Sequence, residues 1–125
     1  MSAPLPTLRR ILIVEDQKDA ADSLCMLLRM FGHEVAVAYT GPDGVERAVQ
    51  LRPDVVVCDI GLPGLNGYGV AERLRRTPAT ARTRLIALTA WGQDEDRRLG
   101  REAGFDYYLV KPADPEQLLK LLASA

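Results

Sequence analysis

Four short runs of consecutive apolar residues, and a weaker fifth, recur along the chain. They cover residues 11–14, 35–38, 55–58, 85–88 and 107–110. Runs of this length that are rich in Val, Ile and Leu and lack polar alternation are typical of strands covered on both faces. The pattern therefore predicts five short strands of a buried parallel sheet.

The segments between these runs carry helical patterns. A first helix is predicted from apolar residues on one helical face, namely Ala20, Leu24, Leu27, Leu28 and Phe31. Gly32 follows as its predicted C-cap. Pro42 marks the start of a second helix and Pro53 its end, since proline is tolerated in a first helical turn but not in the interior. The apolar face of that helix is formed by Val45, Ala48 and Val49.

Three further helices are predicted in the second half of the chain. Asn66 is the expected N-cap of the third helix, which ends before Pro78. Residues 94–103 form a charged fourth helix, and Gly104 ends it. Pro115 opens the last helix. The apolar residues of this last helix are Leu118, Leu119, Leu121 and Leu122.

Strand and helix thus alternate five times, which predicts the fold class: a doubly wound (βα)5 α/β protein with a five-stranded parallel sheet. We expect residues 1–8 to form a short N-terminal extension and residues 9–125 to form one domain. In open parallel sheets, ligands bind at the carboxyl ends of the strands. The residues that follow each strand are therefore the candidates for function.

Composition narrows the classes of partner. The 125 residues carry a formal net charge of −1, which predicts no binding to nucleic acid. The apolar runs are too short for a membrane span or a signal peptide, so we expect a cytoplasmic protein. Cys25 and Cys58 lie among apolar residues and are expected to be small buried side chains. The single histidine, His33, is expected to be solvated in a turn.

Charged and hydroxyl side chains stand at four predicted strand ends. Glu15 and Asp16 follow the first strand, Asp59 follows the third, Thr89 the fourth and Lys111 the fifth. Clustered carboxylates repel unless a cation joins them, and Mg²⁺ prefers such oxygen ligands. The metal could bridge to a phosphoryl group, which the ammonium and the hydroxyl would also hold. A carboxylate could then act as the nucleophile.

The segments around these residues resemble the receiver domain of two-component response regulators. The resemblance is carried by Ile11-Leu12-Ile13-Val14-Glu15-Asp16, Asp59-Ile60-Gly61-Leu62-Pro63-Gly64, Leu88-Thr89-Ala90 and Leu109-Val110-Lys111-Pro112. It covers nearly the whole chain in the family's order and spacing. The resemblance implies a sheet with strand order 2-1-3-4-5 and a cis Lys111–Pro112 peptide bond.

The resemblance also implies the chemistry of the site. Asp59 would accept a phosphoryl group from a phosphohistidine on a histidine kinase or a histidine phosphotransfer protein. Asp16 and Asp59 would bind Mg²⁺ (or Mn²⁺) directly, Glu15 through water, and Gly61 through its backbone carbonyl. The chain would assist its own phosphorylation and dephosphorylation without turning over an independent substrate.

A second set of residues would transmit and time the signal. Lys111 would bind the phosphoryl group, Thr89 would be the switch hydroxyl and Tyr108 the switch aromatic residue. Gly61 and Trp91, two residues past the phosphoacceptor and the switch hydroxyl, would modulate phosphoryl lifetime. A downstream protein would bind a face formed by residues 94–103, 107–110 and 115–123. We expect a monomer or weak dimer.

Other functions remain open at this point. A phosphorylation-independent docking module could share the fold, although it would have no need of the complete set of acids, hydroxyl and lysine. A flavin mononucleotide site requires a phosphate-binding loop after the first strand, where this chain has acids. A haloacid-dehalogenase-type phosphatase would carry its nucleophile after the first strand, whereas Asp59 follows the third.

Overall fold

The computed structural model of the chain describes residues 8–90 and 94–124. Its strands are β1 (Arg10–Val14), β2 (Glu34–Ala38), β3 (Val55–Asp59), β4 (Arg84–Thr89) and β5 (Tyr107–Val110). Its helices are α1 (Lys18–Met30), α2 (Gly41–Leu51), α3 (Gly67–Arg76), α4 (Asp94–Ala103) and α5 (Pro115–Ser124). A short 3-10 turn covers Pro78–Thr80. The five predicted strands are confirmed, four of them with one or two additional residues at their ends.

All strand pairings are parallel, and the strand order is β2-β1-β3-β4-β5. The predicted doubly wound sheet and its order are therefore confirmed. Within the described part of the chain, no helix has both the length and the apolar character needed to span a membrane.

Alternate residues of each central strand enter two separate apolar cores. In β1, Leu12 and Val14 join the core that includes residues of α2, α3 and α4. Ile11 and Ile13 face the other way, into the core shared with α1 and α5. Because both faces of the strand are covered, the strand shows no polar alternation. This explains why the continuous apolar runs of the sequence mark the strands so clearly.

The buried face of α1 differs from the predicted one. Ala21, Cys25 and Leu28 are buried in the core, whereas Phe31 is 53% exposed just beyond the helix. Ala20, Leu24 and Leu27 instead line a groove with Pro112 and Ala113. The predicted face is confirmed for Leu28 and for Leu24, which packs against this core, and is wrong for Phe31. Small residues such as Ala21 and Cys25 allow the helix to approach the sheet, and Cys25 and Cys58 are buried free thiols as expected.

The face of α2 is also rotated relative to the prediction, since Val49 is 37% exposed. The buried face includes Gly44 instead of Val49. A Cβ atom at Gly44 would lie 2.8 Å from both methyl groups of Val14. The helix can thus pack closely on β1 because this position has no side chain. Its N-cap is Thr40, whose hydroxyl accepts a hydrogen bond from the Asp43 backbone N–H.

The predicted helix boundaries of the second half agree with the structure. The Asn66 side chain accepts a hydrogen bond from the Gly69 backbone N–H and caps α3. Gly104 follows α4 with a φ of 116°, and its N–H donates to the Gly100 carbonyl. The Lys111–Pro112 peptide bond is cis, as the resemblance implied.

Candidate functional site

Three carboxylates meet at the carboxyl ends of β1 and β3. Glu15 and Asp16 directly follow β1, and Asp59 is the last residue of β3. One oxygen of each lies within 4.8 Å of the others. Chain connections leave these two neighbouring strands in opposite directions, so the cluster occupies the point where the strand order reverses. Glu15 and Asp59 are 2% and 6% exposed, whereas Asp16 faces solvent.

Lys111 connects two of these carboxylates. Its Nζ atom lies 2.9 Å from Asp59 Oδ2 and 3.1 Å from Glu15 Oε2. The lysine follows β5, and its backbone N–H donates to the Thr89 carbonyl at 2.7 Å. The strand pairing therefore fixes the point from which the long side chain reaches across to β1 and β3.

The electrostatics of the cluster favour an additional cation. Burial raises the pKa of Glu15, and its hydrogen bond with Asp59 raises it further against the opposing effect of Lys111. Burial alone would lower the pKa of Lys111, but its bonds to Asp59 and Glu15 outweigh this, and its pKa is raised. Two buried carboxylates thus share one ammonium group, with the exposed Asp16 carboxylate beside them. Their oxygens match the ligand preference of Mg²⁺, so the residues present fit a hard divalent cation.

Gly61 binds the second carboxylate oxygen of Asp59, the candidate phosphoacceptor. Its backbone N–H donates to Asp59 Oδ1 at 3.0 Å, while Lys111 binds Oδ2. Both oxygens of Asp59 are therefore held by donors, which fixes the plane of the carboxylate. A carboxylate held in this way, beside a cation site, has the chemistry of an oriented nucleophile.

Thr89 and Tyr108, the two predicted switch residues, lie next to each other. Thr89 ends β4 and is 3% exposed. Its side chain lies within hydrogen-bonding reach of the Tyr108 hydroxyl. That hydroxyl donates to the Asp96 carbonyl of α4 at 2.7 Å, so the half-buried tyrosine connects the end of β4 to α4.

Tyr68 also contacts this part of α4, although it was not predicted from the sequence. Its hydroxyl lies 3.5 Å from the same Asp96 carbonyl that Tyr108 binds. Burial, followed by the hydrogen bond with Tyr68, raises the pKa of Tyr108. Tyr68 is a half-buried aromatic residue in the first turn of α3, and nothing in its spacing marks it in advance. Trp91, predicted to modulate phosphoryl lifetime, lies outside the described residues.

The fold and the acidic cluster define a doubly wound α/β protein whose carboxylates at the switch point suit a divalent cation. The sequence profile of the response regulator receiver domain matches residues 11–123. The chain therefore belongs to the response regulator receiver domain family.

Individual relatives agree with this assignment. Protein PilH of Pseudomonas aeruginosa is 41% identical over 113 residues, which cover 90% of this chain and 93% of PilH. The DNA-binding dual master transcriptional regulator RpaA of Synechocystis is 42% identical over 110 residues. That alignment covers 88% of this chain and 46% of RpaA, so the chain spans about half the length of this relative.

A solved structure links the fold to a bound metal in another protein. The receiver domain of a sensor histidine kinase from Pseudomonas aeruginosa has a TM-score of 0.84 and 32% identity to this chain. The similarity covers 93% of this chain and 95% of that domain, which was solved with a magnesium ion coordinated in its active site cleft.

Proposed function

We propose that the chain is a phosphorylation-switched receiver of a two-component phosphorelay, with Asp59 as its phosphoacceptor. The observation that carries this proposal is the Asp59 carboxylate, held between the Gly61 N–H and the Lys111 ammonium beside Glu15 and Asp16. The phosphoryl donor would be a phosphohistidine on a histidine kinase or a histidine phosphotransfer protein. The nearly continuous match to the receiver family supports this donor class.

In the proposed reaction, an oxygen of Asp59 attacks phosphorus in line with the bond to the donor imidazole. The new P–O bond forms as the P–N bond breaks, and the electron pair of that bond returns to the imidazole nitrogen. Lys111 is bonded to Asp59 before transfer. Its flexible side chain can follow the charge onto a phosphoryl oxygen without leaving the site.

The proposed metal ligands are Asp16 and Asp59 directly, Glu15 through water, and the Gly61 carbonyl, with Mg²⁺ or Mn²⁺ as the ion. The magnesium in the related Pseudomonas receiver supports this assignment. When bound, a divalent cation neutralises negative charge on the phosphoryl oxygens during in-line transfer. The bond with Lys111 holds the buried Glu15 carboxylate beside Asp59, where it would accept a hydrogen bond from a metal-bound water.

The proposed signal passes from Thr89 to Tyr108. A phosphoryl group on Asp59 would draw the Thr89 hydroxyl towards it, and this hydroxyl also lies within reach of Tyr108. Tyr108 is bonded to Asp96 in α4, so a change in its position would alter the α4, β5 and α5 surface. This would be a population shift, because the phosphorylated and unphosphorylated states would make different contacts.

The remaining expectations belong to the same proposal. Residues 9–125 would act as one receiver domain after a short extension at residues 1–8. The protein would be cytoplasmic, a monomer or a weak dimer, and would act on its own phosphoryl group without turning over a separate substrate. Trp91 and Gly61 would modulate phosphoryl lifetime.

Intact-mass analysis after incubation with Mg²⁺ and a small acyl phosphate donor tests the chemistry. We expect the wild type to gain one phosphoryl group that is stable in acid and labile in base. Asp59→Asn should gain none, because the amide is a poor nucleophile. Asp43→Asn makes the same chemical change at an exposed aspartate of α2 and should be labelled like the wild type. Equal labelling of Asp59→Asn would refute the site.

A further inference from the structure

The seam between α4 and β5 concentrates positive charge. Two adjoining depressions of about 500 and 430 Å³ share Arg101, Phe105 and Asp106 along their common edge. We call them together the arginine groove. Its arginines are Arg75, Arg82, Arg84, Arg97 and Arg101, and Asp106 is the carboxylate that lines it.

Two of these arginines bind other groups of the protein. Arg75 donates to the carbonyls of Gly104 and Thr83 and forms an ion pair with Asp106 at 2.8 Å. Arg84 approaches the other oxygen of Asp106 at 3.9 Å. Among the described residues that line the groove, the one carboxylate is therefore already occupied by Arg75 and Arg84.

Arg82, Arg97 and Arg101 are exposed. Among the described residues none of them has a hydrogen bond or ion pair to a carboxylate, in contrast to Arg98, which pairs with Glu102 at 2.8 Å. The whole chain has a net charge of −1. The excess of cations in the arginine groove is thus a local feature, balanced by acids elsewhere on the molecule.

The spacing of the groove arginines fits one form of acidic ligand. Arg97 and Arg101 are one helical turn apart, a rise of roughly 6 Å. Alternate side chains of an extended peptide are separated by roughly 6.5–7 Å. Each guanidinium group can bind a carboxylate in a bidentate manner. Tyr107, which is half-buried, also lines the arginine groove and adds an aromatic side chain to it.

We propose that the arginine groove binds an extended acidic segment of a protein partner, with carboxylates at alternate residues contacting Arg97 and Arg101. The inference rests on the proposed output role of the α4, β5 and α5 surface, since Tyr108 lines the same groove. A nucleic acid fits less well, because its phosphate backbone extends beyond the groove onto the acidic remainder of the surface.

Fluorescence anisotropy with a labelled peptide of alternating glutamate and serine tests the proposal on the full chain. We expect binding that weakens with added NaCl, and weaker binding of the matching glutamine peptide. Arg97→Gln/Arg101→Gln should weaken binding by roughly three- to thirtyfold, as expected for the loss of two exposed ion pairs. The matched control is Arg47→Glu on α2, which changes the net charge by the same amount away from the groove and should bind like the wild type.

Equal affinity of the double variant and the wild type would overturn the proposal, as would the absence of binding by the wild type. Preferential binding of a single-stranded oligonucleotide over the glutamate peptide would overturn it in favour of a nucleic acid. Phosphoryl uptake is measured on the same samples. If the wild type binds the peptide but takes up no phosphoryl group, the proposed function is refuted, whereas peptide binding by the arginine groove is supported.

Discussion

At the scale of single residues, the three acids of the site differ in burial and in their partners. Glu15 is buried and bonded to Lys111, whereas Asp16 is exposed at the rim of the cluster. The buried acid is thus already partly neutralised, and the exposed acid is available to an incoming cation. Their types and positions could be predicted from the sequence, but this difference in burial could not.

The first prediction concerns Mg²⁺ affinity. Asp16→Ala should weaken Mg²⁺ binding by about tenfold or more, because it removes a proposed direct ligand. Glu15→Ala should weaken binding less, since its proposed contact with the ion is through water. Calorimetric titration would measure both, with Asp19→Ala as an exposed control on α1. The reverse ranking would contradict the assigned roles.

His33 follows the Gly32 turn as predicted, but it is less solvated than the sequence suggested. It is half-buried rather than freely solvated, and its Nδ1 atom accepts the Arg9 backbone N–H at 3.0 Å. Burial, followed by the charge of Arg9, lowers the pKa of His33. The contact depends on β1 and β2 being paired, so single-sequence reasoning had no means of finding it.

The second prediction follows from that lowered pKa. Because the folded-state pKa lies below the unfolded value of about 6.5, the neutral histidine stabilises the fold above that pH. This contribution should be lost as the pH falls through the lower folded-state value. Urea unfolding of wild type and His33→Gln between pH 7.5 and 5 measures it. The difference in unfolding free energy should shrink towards acid, and a constant difference would contradict the assignment.

At the scale of elements, glycines control how closely helices approach their neighbours. A Cβ atom at Gly100 of α4 would lie 2.6 Å from Cε2 of Tyr108. Because glycine has no side chain, the Tyr108 ring can pack directly against α4 at this position. From the sequence, α4 could be predicted as a helix, but its close contact with Tyr108 depends on tertiary packing.

The third prediction is that Gly100→Ala displaces Tyr108. Alanine favours the helix over glycine by about 1 kcal/mol, so α4 itself should remain formed. The displaced ring should lose burial and its contact with Asp96, and the raised pKa of Tyr108 should move back towards 10.0. Ring-labelled tyrosine NMR, assigned with Tyr108→Phe, would follow it. An unchanged Tyr108 titration in Gly100→Ala would show that the helix moves instead.

At the scale of the whole molecule, a short series of contacts joins the carboxyl edge of the sheet to α4. The acidic cluster lies at the ends of β1 and β3, and the path runs through Thr89 and Tyr108 to α4. Parallel topology brings the strand ends together, which is why residues distant in sequence could be assigned to one site from motifs alone. The orientation of α1 and the contribution of Tyr68 required the packed structure.

The central claim is that Asp59 becomes the acyl phosphate, and borohydride reduction tests it most directly. Reduction converts an aspartyl phosphate to homoserine, which peptide mass spectrometry locates without any substitution in the site. After incubation with Mg²⁺ and the acyl phosphate donor, we predict homoserine at position 59 in proportion to the phosphoryl group gained. Homoserine at another aspartate, or its absence from a phosphorylated chain, would contradict the account.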